Sequence, residues 1–347
     1  MIYEVRSSEK LRKVASETET KALLYLMNFR PDSDDIYYFI VDFFNDLTGM
    51  DNMGTCLWDV QSKGARQSSP KAIGKELITL FKNFVSEINF KSYILFVGGV
   101  SRTFRKDSSL TVFGIENVKA DAVTLLKEGL IEEGRRKTYI NNDFLTSENI
   151  DCFLNVVLFV IDDKEPKDYI KAIIKQHPKI IPEDGVLNAI FNEIRDKQAN
   201  KKNVGNVEGV VIETTEEAIN YCRHLTSSEI KLMVLHRIIT RNPLGKGVPI
   251  PFLDIYNTLP PERQRETIEE CQAALCRALF NRSTADGFWS LFECVYNLIT
   301  GNPNKTTDQI FRDLRRFPDC MLACPDFDII SLKYFISIVK DGIEYEN

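Results

Sequence analysis

The sequence predicts a mixed α/β domain over residues 1–180, with a central sheet flanked by helices, followed by an all-α domain over residues 181–347. Three observations carry this expectation. Segments rich in β-branched and aromatic residues alternate with helically spaced ones in the first half. The stretch HPKIIPEDG (177–185) then breaks the pattern with two prolines and a glycine. Beyond it every periodic segment has helical spacing. A chain of 347 residues has room for two domains, each with a substantial core.

The first helix is expected over Ser16 to Arg30, SETETKALLYLMNFR. Ser16 stands three residues before Glu19 as in a capping box, and Ala22, Leu23, Leu26 and Met27 form one apolar stripe. Glu19 lies four residues before Leu23 and so shares that stripe. Glu17 and Glu19 also suit the first turn, where acids complement the helix dipole. Ile36 to Phe44 then reads as a buried strand, and Gly49, Asp51, Asn52 and Gly54 supply turn chemistry within Thr48 to Gly54. A second strand completes a hairpin. Cys56, Trp58, Val60 and Ser62 lie on one face, with Leu57, Asp59, Gln61 and Lys63 on the other, about 6.6 Å apart per pair of residues. An amphipathic helix over Pro70 to Ile88, a strand over Ser92 to Gly99 and another over Leu110 to Ile115 follow. Glu116 to Glu133 is helical, Cys152 to Asp162 is a buried strand or helix that periodicity cannot assign, and Lys164 to His177 is a helix stopped by Pro178.

An acid ending one strand, followed by Gln-x-Lys ending the next, has chemical meaning. Metal-dependent phosphodiester hydrolysis needs a carboxylate to hold Mg²⁺, a second oxygen ligand beside it, and a cation for the phosphate charge. Asp46, Gln61 and Lys63 are the right types; a solvated hairpin face is the plainer alternative. The stretch resembles the PD-(D/E)XK nuclease signature in its D…QxK form. Helix, hairpin, helix and strand follow one another as in the restriction-endonuclease-like fold. In ETETKALLYL, VDFFNDLTG and WDVQSKG the chain is similar to the double-stranded-DNA nuclease domain of CBASS effectors and, more closely, to the nuclease subunit of Lamassu anti-phage systems.

The resemblance implies a Mg²⁺- or Mn²⁺-dependent DNA endonuclease with Asp46 and Gln61 as metal ligands, Lys63 as the charge-stabilising residue and Glu19 as a further ligand. Asp59, Asp42 and Glu17 are alternative ligands. It also implies a cytoplasmic effector of anti-phage or anti-plasmid defence that self-associates when active. An SMC-like ATPase would hold it inactive, with a small accessory subunit as a further partner. The chain has no Walker A sequence, so an ATPase would be a separate chain. Arg66, Arg102, Arg105 and Lys106, with the run Arg135, Arg136 and Lys137, are candidate phosphate contacts. An RNase on the same fold, or an interaction protein that keeps the fold without catalysis, would share these features.

Composition narrows the classes. A net charge of −6 argues against a protein that coats nucleic acid along its whole surface, and no apolar run is long enough to span a bilayer. MIYEVRSSEKLRK lacks the apolar centre of a secretory signal. Of the eight cysteines, Cys152, Cys222, Cys271, Cys276 and Cys294 sit in apolar stretches and are expected as reduced core thiols; Cys320 and Cys324 lack the companions of a zinc site. In the second half, Glu183 to Lys197 is helical and QANKKNVGNVEG (198–209) reads as a polar linker. Helices are then expected over Thr215 to Leu225, Ser227 to Arg241, Pro261 to Phe280, Thr284 to Thr300, Thr307 to Phe317 and Asp328 to Lys340. Phe288, Trp289, Phe292, Val295 and Tyr296 form a core stripe, and no chemical constellation surrounds His177, His224 or His236. Such a domain is expected to bind a regulatory partner.

Overall fold

A computed structural model describes residues 3–6, 17–175, 177, 179–281 and 285–344. The expected Ser16 cap lies outside them. The chain forms two compact units, one of residues 1–169 and 191–227, the other of 170–190 and 228–347.

In the first unit, strand β1 (Tyr3–Glu4) precedes helix α1 (Glu17–Asn28), whose residues from Thr20 to Met27 are all buried. Pro31 ends the α1 segment, because the residue before a proline is pushed out of the helical region. Strands β2 (Tyr38–Val41), β3 (Leu47–Met50) and β4 (Leu57–Lys63) form an antiparallel meander. Helices α2 (Pro70–Glu76) and α3 (Ile78–Phe84) lead to β5 (Ser92–Val97), which runs parallel to β4. Then come β6 (Val112–Phe113), α4 (Ala120–Arg136), α5 (Ser147–Val156) and β7 (Val157–Ile161), the last parallel to β5. Cys152 to Asp162 is therefore half helix and half strand. Helix α6 (Pro166–Ile173) and α7 (Asp184–Lys202) cross the division between units; β8 (Val211–Ile212) and β9 (His224–Thr226) return to the first. The main sheet has the order β6-β7-β5-β4-β3-β2-β9.

The single expected hairpin is a three-stranded meander instead. Thr48 to Met50, read as the start of a turn, belongs to β3, which pairs with β2 on one side and β4 on the other. Gly49 fits this central strand because Leu26 and Ile36 close over it: an added Cβ would come within 3.0 Å of Ile36 Cγ2. Pairing on both edges outweighs the turn preference of Thr-Gly. The chain reverses instead at Asp42, with φ of 48°, a conformation Asp tolerates better than most residues. The next turn is closed by Asp51 Oδ1, which accepts from the amides of Thr55 and Cys56.

The chain divides as expected into a mixed α/β part and a helical part, but the boundary at residue 181 requires correction. Residues 191–227 fold with the first unit and contribute two strands. Thr215 to Leu225 is helical only in part: a 3-10 helix over Thr215–Tyr221 ends at Cys222 in the left-handed region, and β9 then pairs with β2. The second unit is helical among the described residues, with α8 (Ser227–Ile238) straddling its start. It continues with α9 (Leu253–Tyr256), α10 (Pro261–Phe280), α11 (Ala285–Thr300), α12 (Thr307–Leu314), α13 (Pro318–Leu322) and α14 (Ile329–Glu344). Phe335 of α14 meets Phe288, Phe292 and Phe327, so the expected aromatic stripe is core; Trp289 and Val295 are buried with it. The cysteines are free, but Cys152 and Cys222 are exposed rather than core thiols. Among the described residues no helix is long and apolar enough to cross a membrane.

Candidate active site

The polar residues of β4 are not a solvated face. Asp59 is fully buried and Gln61 is 3% exposed. Asp59 and Gln61 of β4 point toward α3, whereas Trp58 points the other way and donates from its indole to Asp32. Strand alternation separates the two sets. The first turn of α1, the start of β3 and the end of β4 meet at one end of the sheet. Gly64, just after β4, lies so close to Thr18 that an added Cβ would come within 2.8 Å of its hydroxyl.

At this junction Asp46 stands opposite Gln61. Its Oδ2 accepts from Gln61 Nε2 at 2.8 Å, from the Ser62 amide at 3.0 Å and from Ser62 Oγ at 3.1 Å. The Gln61 carbonyl oxygen accepts from Thr79 Oγ1 at 2.7 Å, which orients the amide between α3 and Asp46. Burial pushes the Asp46 pKa up to about 6; the Ser62 amide opposes this, and Glu19 adds to it by charge repulsion. Lys63 Nζ is 3.1 Å from Glu76 Oε2 and also lowers the Asp46 pKa through its charge.

Glu19 reaches the same place from α1, but its Oε2 pairs with Lys202 Nζ at 2.5 Å. The same ammonium lies 3.3 Å from Asp42 Oδ2. Asp42 titrates above its ordinary value because of burial, with Lys202 opposing and Glu19 reinforcing the shift. For Lys202, burial alone would lower the pKa, but Asp42 and Glu19 reverse that and the net shift is upward. Arg223 is fully buried beside this group. Its Nη2 donates to the Lys202 carbonyl, and β9 brings it there by setting His224 opposite Ile40.

The other candidates are placed elsewhere. Glu17 is half-exposed and pairs with Lys21 at 3.1 Å. Asp59 accepts from Asn83 Nδ2 at 2.7 Å beneath α3, and Asn83 in turn accepts from the Tyr3 hydroxyl. Asp59 is thus fixed in a structural network, while Asp42 joins Glu19 at Lys202. Arg66 and Arg102 are exposed on two segments bridged at Ser68 and Val100. Arg105 donates to the Leu110 carbonyl and Lys106 to that of Glu116, so both brace their loop. Arg136 and Lys137 pair with Glu133.

The buried acids make stability depend on pH. Burial pushes Asp59 up to about 7 against the hydrogen bond from Asn83. Asp46 and Asp59 both hold protons in the native state that the unfolded chain loses near pH 4. Their contribution is therefore greatest below about pH 4 and declines as pH rises through about 6 and about 7. The slope is at most ~1.4 kcal/mol per pH unit for each group. Asp59→Asn removes one of these acids, so its melting temperature should fall less than the wild type's between pH 4.5 and 7.5. Parallel thermal-unfolding profiles for the two proteins would contradict this origin.

Glu19, Asp42, Asp46 and the Gln61 amide are oxygen donors of the kind that suits Mg²⁺ or Mn²⁺. Their arrangement does not suit a metal. Among the described residues no three acidic, histidine or cysteine side chains are grouped to hold one. Asp46 Oδ2 is occupied by three donors, the Gln61 carbonyl faces Thr79, and Lys202 lies against two of the acids.

Set against protein-family models, curated proteins and solved structures, the chain matches none of them.

Sequence reasoning missed Lys202, Gln198 and Arg223. The signal for the first two was present. Leu187, Ile190, Phe191 and Ile194 form the buried stripe of α7, and Gln198 and Lys202 continue it at i+4 steps. Both sit in the stretch read as a linker, yet Gln198 is fully buried and accepts from Thr20 Oγ1 at 2.8 Å. Arg223 had no comparable signal, since its position depends on β9 pairing with β2.

Proposed function

We propose that the chain is a DNA endonuclease of the PD-(D/E)XK type, with Glu19, Asp46, Gln61 and Lys63 as its catalytic set. The observation that carries this reading is their convergence at one end of the sheet from α1, the start of β3 and β4. The element order (helix, three antiparallel strands, helices, parallel strand) supports it as well. In this function Lys63 would neutralise charge on the scissile phosphate. Asp46, ionised above about pH 6, would accept a proton from the attacking water, with Ser62 and Gln61 fixing its carboxylate.

The wider reading is that of a defence effector held inactive by an SMC-like ATPase and activated by self-association, since cutting both strands of a duplex needs two sites. A second reading, a binding protein without catalysis, is favoured by the pairing of Lys202 with Glu19 and Asp42. One experiment separates them: purified protein with supercoiled plasmid in millimolar Mn²⁺, with and without EDTA, beside an RNA of similar length. Nicked or linear plasmid only without EDTA, and intact RNA, is the expected result. Adding the ATPase should slow cleavage, and without it the size-exclusion mass should exceed that of a single chain where cleavage is fast. Intact plasmid throughout would favour the binding protein, and degraded RNA the RNase.

A further inference from the structure

We propose that Lys202 is an internal cation occupying the metal position of this site, so that the arrangement described is a metal-excluded resting state. The proposal rests on the nuclease reading for the identity of the site. Lys202 is 5% exposed, and its Nζ bridges carboxylates from two separate elements, Glu19 Oε2 of α1 at 2.5 Å and Asp42 Oδ2 of the β2–β3 turn at 3.3 Å. Two acids from separate elements facing one buried cation would also suit a hard divalent ion, which takes carboxylate oxygens in the same way. An ammonium and such an ion cannot share those oxygens. Metal binding therefore requires Lys202 to withdraw.

Around Lys202 several buried polar atoms lack a hydrogen-bond partner, among them Asp42 Oδ2, which Nζ meets as an ion pair only. Arg223 is fully buried and coupled by charge to Asp42, yet its Nε and Nη1 have no hydrogen-bond partner. Gln198 Nε2, one turn before Lys202 and also fully buried, has none either. Buried donors without acceptors are costly, and native structures keep few of them. Arg223 lies near enough to Asp42 for their charges to interact, and its Nη2 holds the Lys202 carbonyl. A second buried cation beside the lysine raises the cost of adding a divalent ion while the last turn of α7 is in place. The unsatisfied Gln198 amide also makes that turn cheaper to release than a fully bonded one.

The test uses the full chain and Mn²⁺, followed by electron paramagnetic resonance of the free ion. Lys202→Met keeps the length of the stem and removes the charge; it should bind Mn²⁺ at least tenfold more tightly than wild type. Lys202→Arg, which keeps the charge, should show no gain. Adding Glu19→Gln and Asp42→Asn to Lys202→Met should erase the gain. A second measurement needs no variant: saturating Mn²⁺ should speed amide hydrogen exchange over residues 195–202 of the wild-type protein. Equal Mn²⁺ affinity in wild type and Lys202→Met, or unchanged exchange at saturation if the variant does not fold, would overturn the proposal. These outcomes are separable from failure of the nuclease reading. Equal affinities with Mn²⁺-dependent plasmid cleavage would remove the internal cation and leave the nuclease. Tighter Mn²⁺ binding without cleavage by either protein would do the reverse.

Discussion

Lys63→Ala is expected to reduce Mn²⁺-dependent plasmid cleavage by at least ~10²-fold while leaving the protein folded, because removing one group that stabilises transition-state charge typically costs about 10²–10³ in rate. Lys63 is the last residue of β4 and its ion pair with Glu76 is partly exposed. Losing such a pair costs about 1 kcal/mol or less. A large loss of activity with a small change in melting temperature would thus point to chemistry. Asp46→Asn should behave similarly, since an amide oxygen can still accept from the Ser62 amide and hydroxyl. Cleavage by Lys63→Ala at the wild-type rate would remove Lys63 from the catalytic set.

A large effect on stability is expected at the contact between α2 and α4. Gly74 and Gly129 let the two backbones approach: a Cβ on Gly74 would strike the Leu126 carbonyl, and one on Gly129 the Lys71 carbonyl. Neither obstacle is a flexible side chain, so one helix must move. Gly129→Ala gains about 1 kcal/mol of helix propensity. Overpacking of this kind costs about 1–3 kcal/mol, occasionally more, and backbone atoms leave little room for relief. The net expectation is destabilisation by about 1–2 kcal/mol, toward the upper end of what these two magnitudes allow, measured by urea unfolding. Gly185→Ala in α7 is the control; its Cβ meets nothing within 4 Å, so its stability should hold or rise. A neutral Gly129→Ala would mean that α2 and α4 can separate at little cost.

Local pattern was enough for many elements because their signals act over a few residues. The stripe Ala22, Leu23, Leu26 and Met27 specifies α1, and Pro261 to Phe280 matches α10 at both ends. Asp46, Gln61 and Lys63 were legible as a group because cross-strand pairing and a period of two bring them together once the strands exist. The meander was not legible, since Leu47–Met50 carries turn residues and becomes a strand only through partners on both sides. Nor did alternation reveal that the Asp59 and Gln61 face is buried, because α3 covers it.

By itself the sequence determined most of the helices, the apolar strands and the grouping of Asp46, Gln61 and Lys63. Only the tertiary structure decided where residues 191–227 belong and which cation meets Glu19 and Asp42. The physical reason is range. Helical periodicity acts over four residues and strand alternation over two, whereas Lys202 meets Glu19 across 183 positions of chain and Arg223 reaches Asp42 through the pairing of β9 with β2.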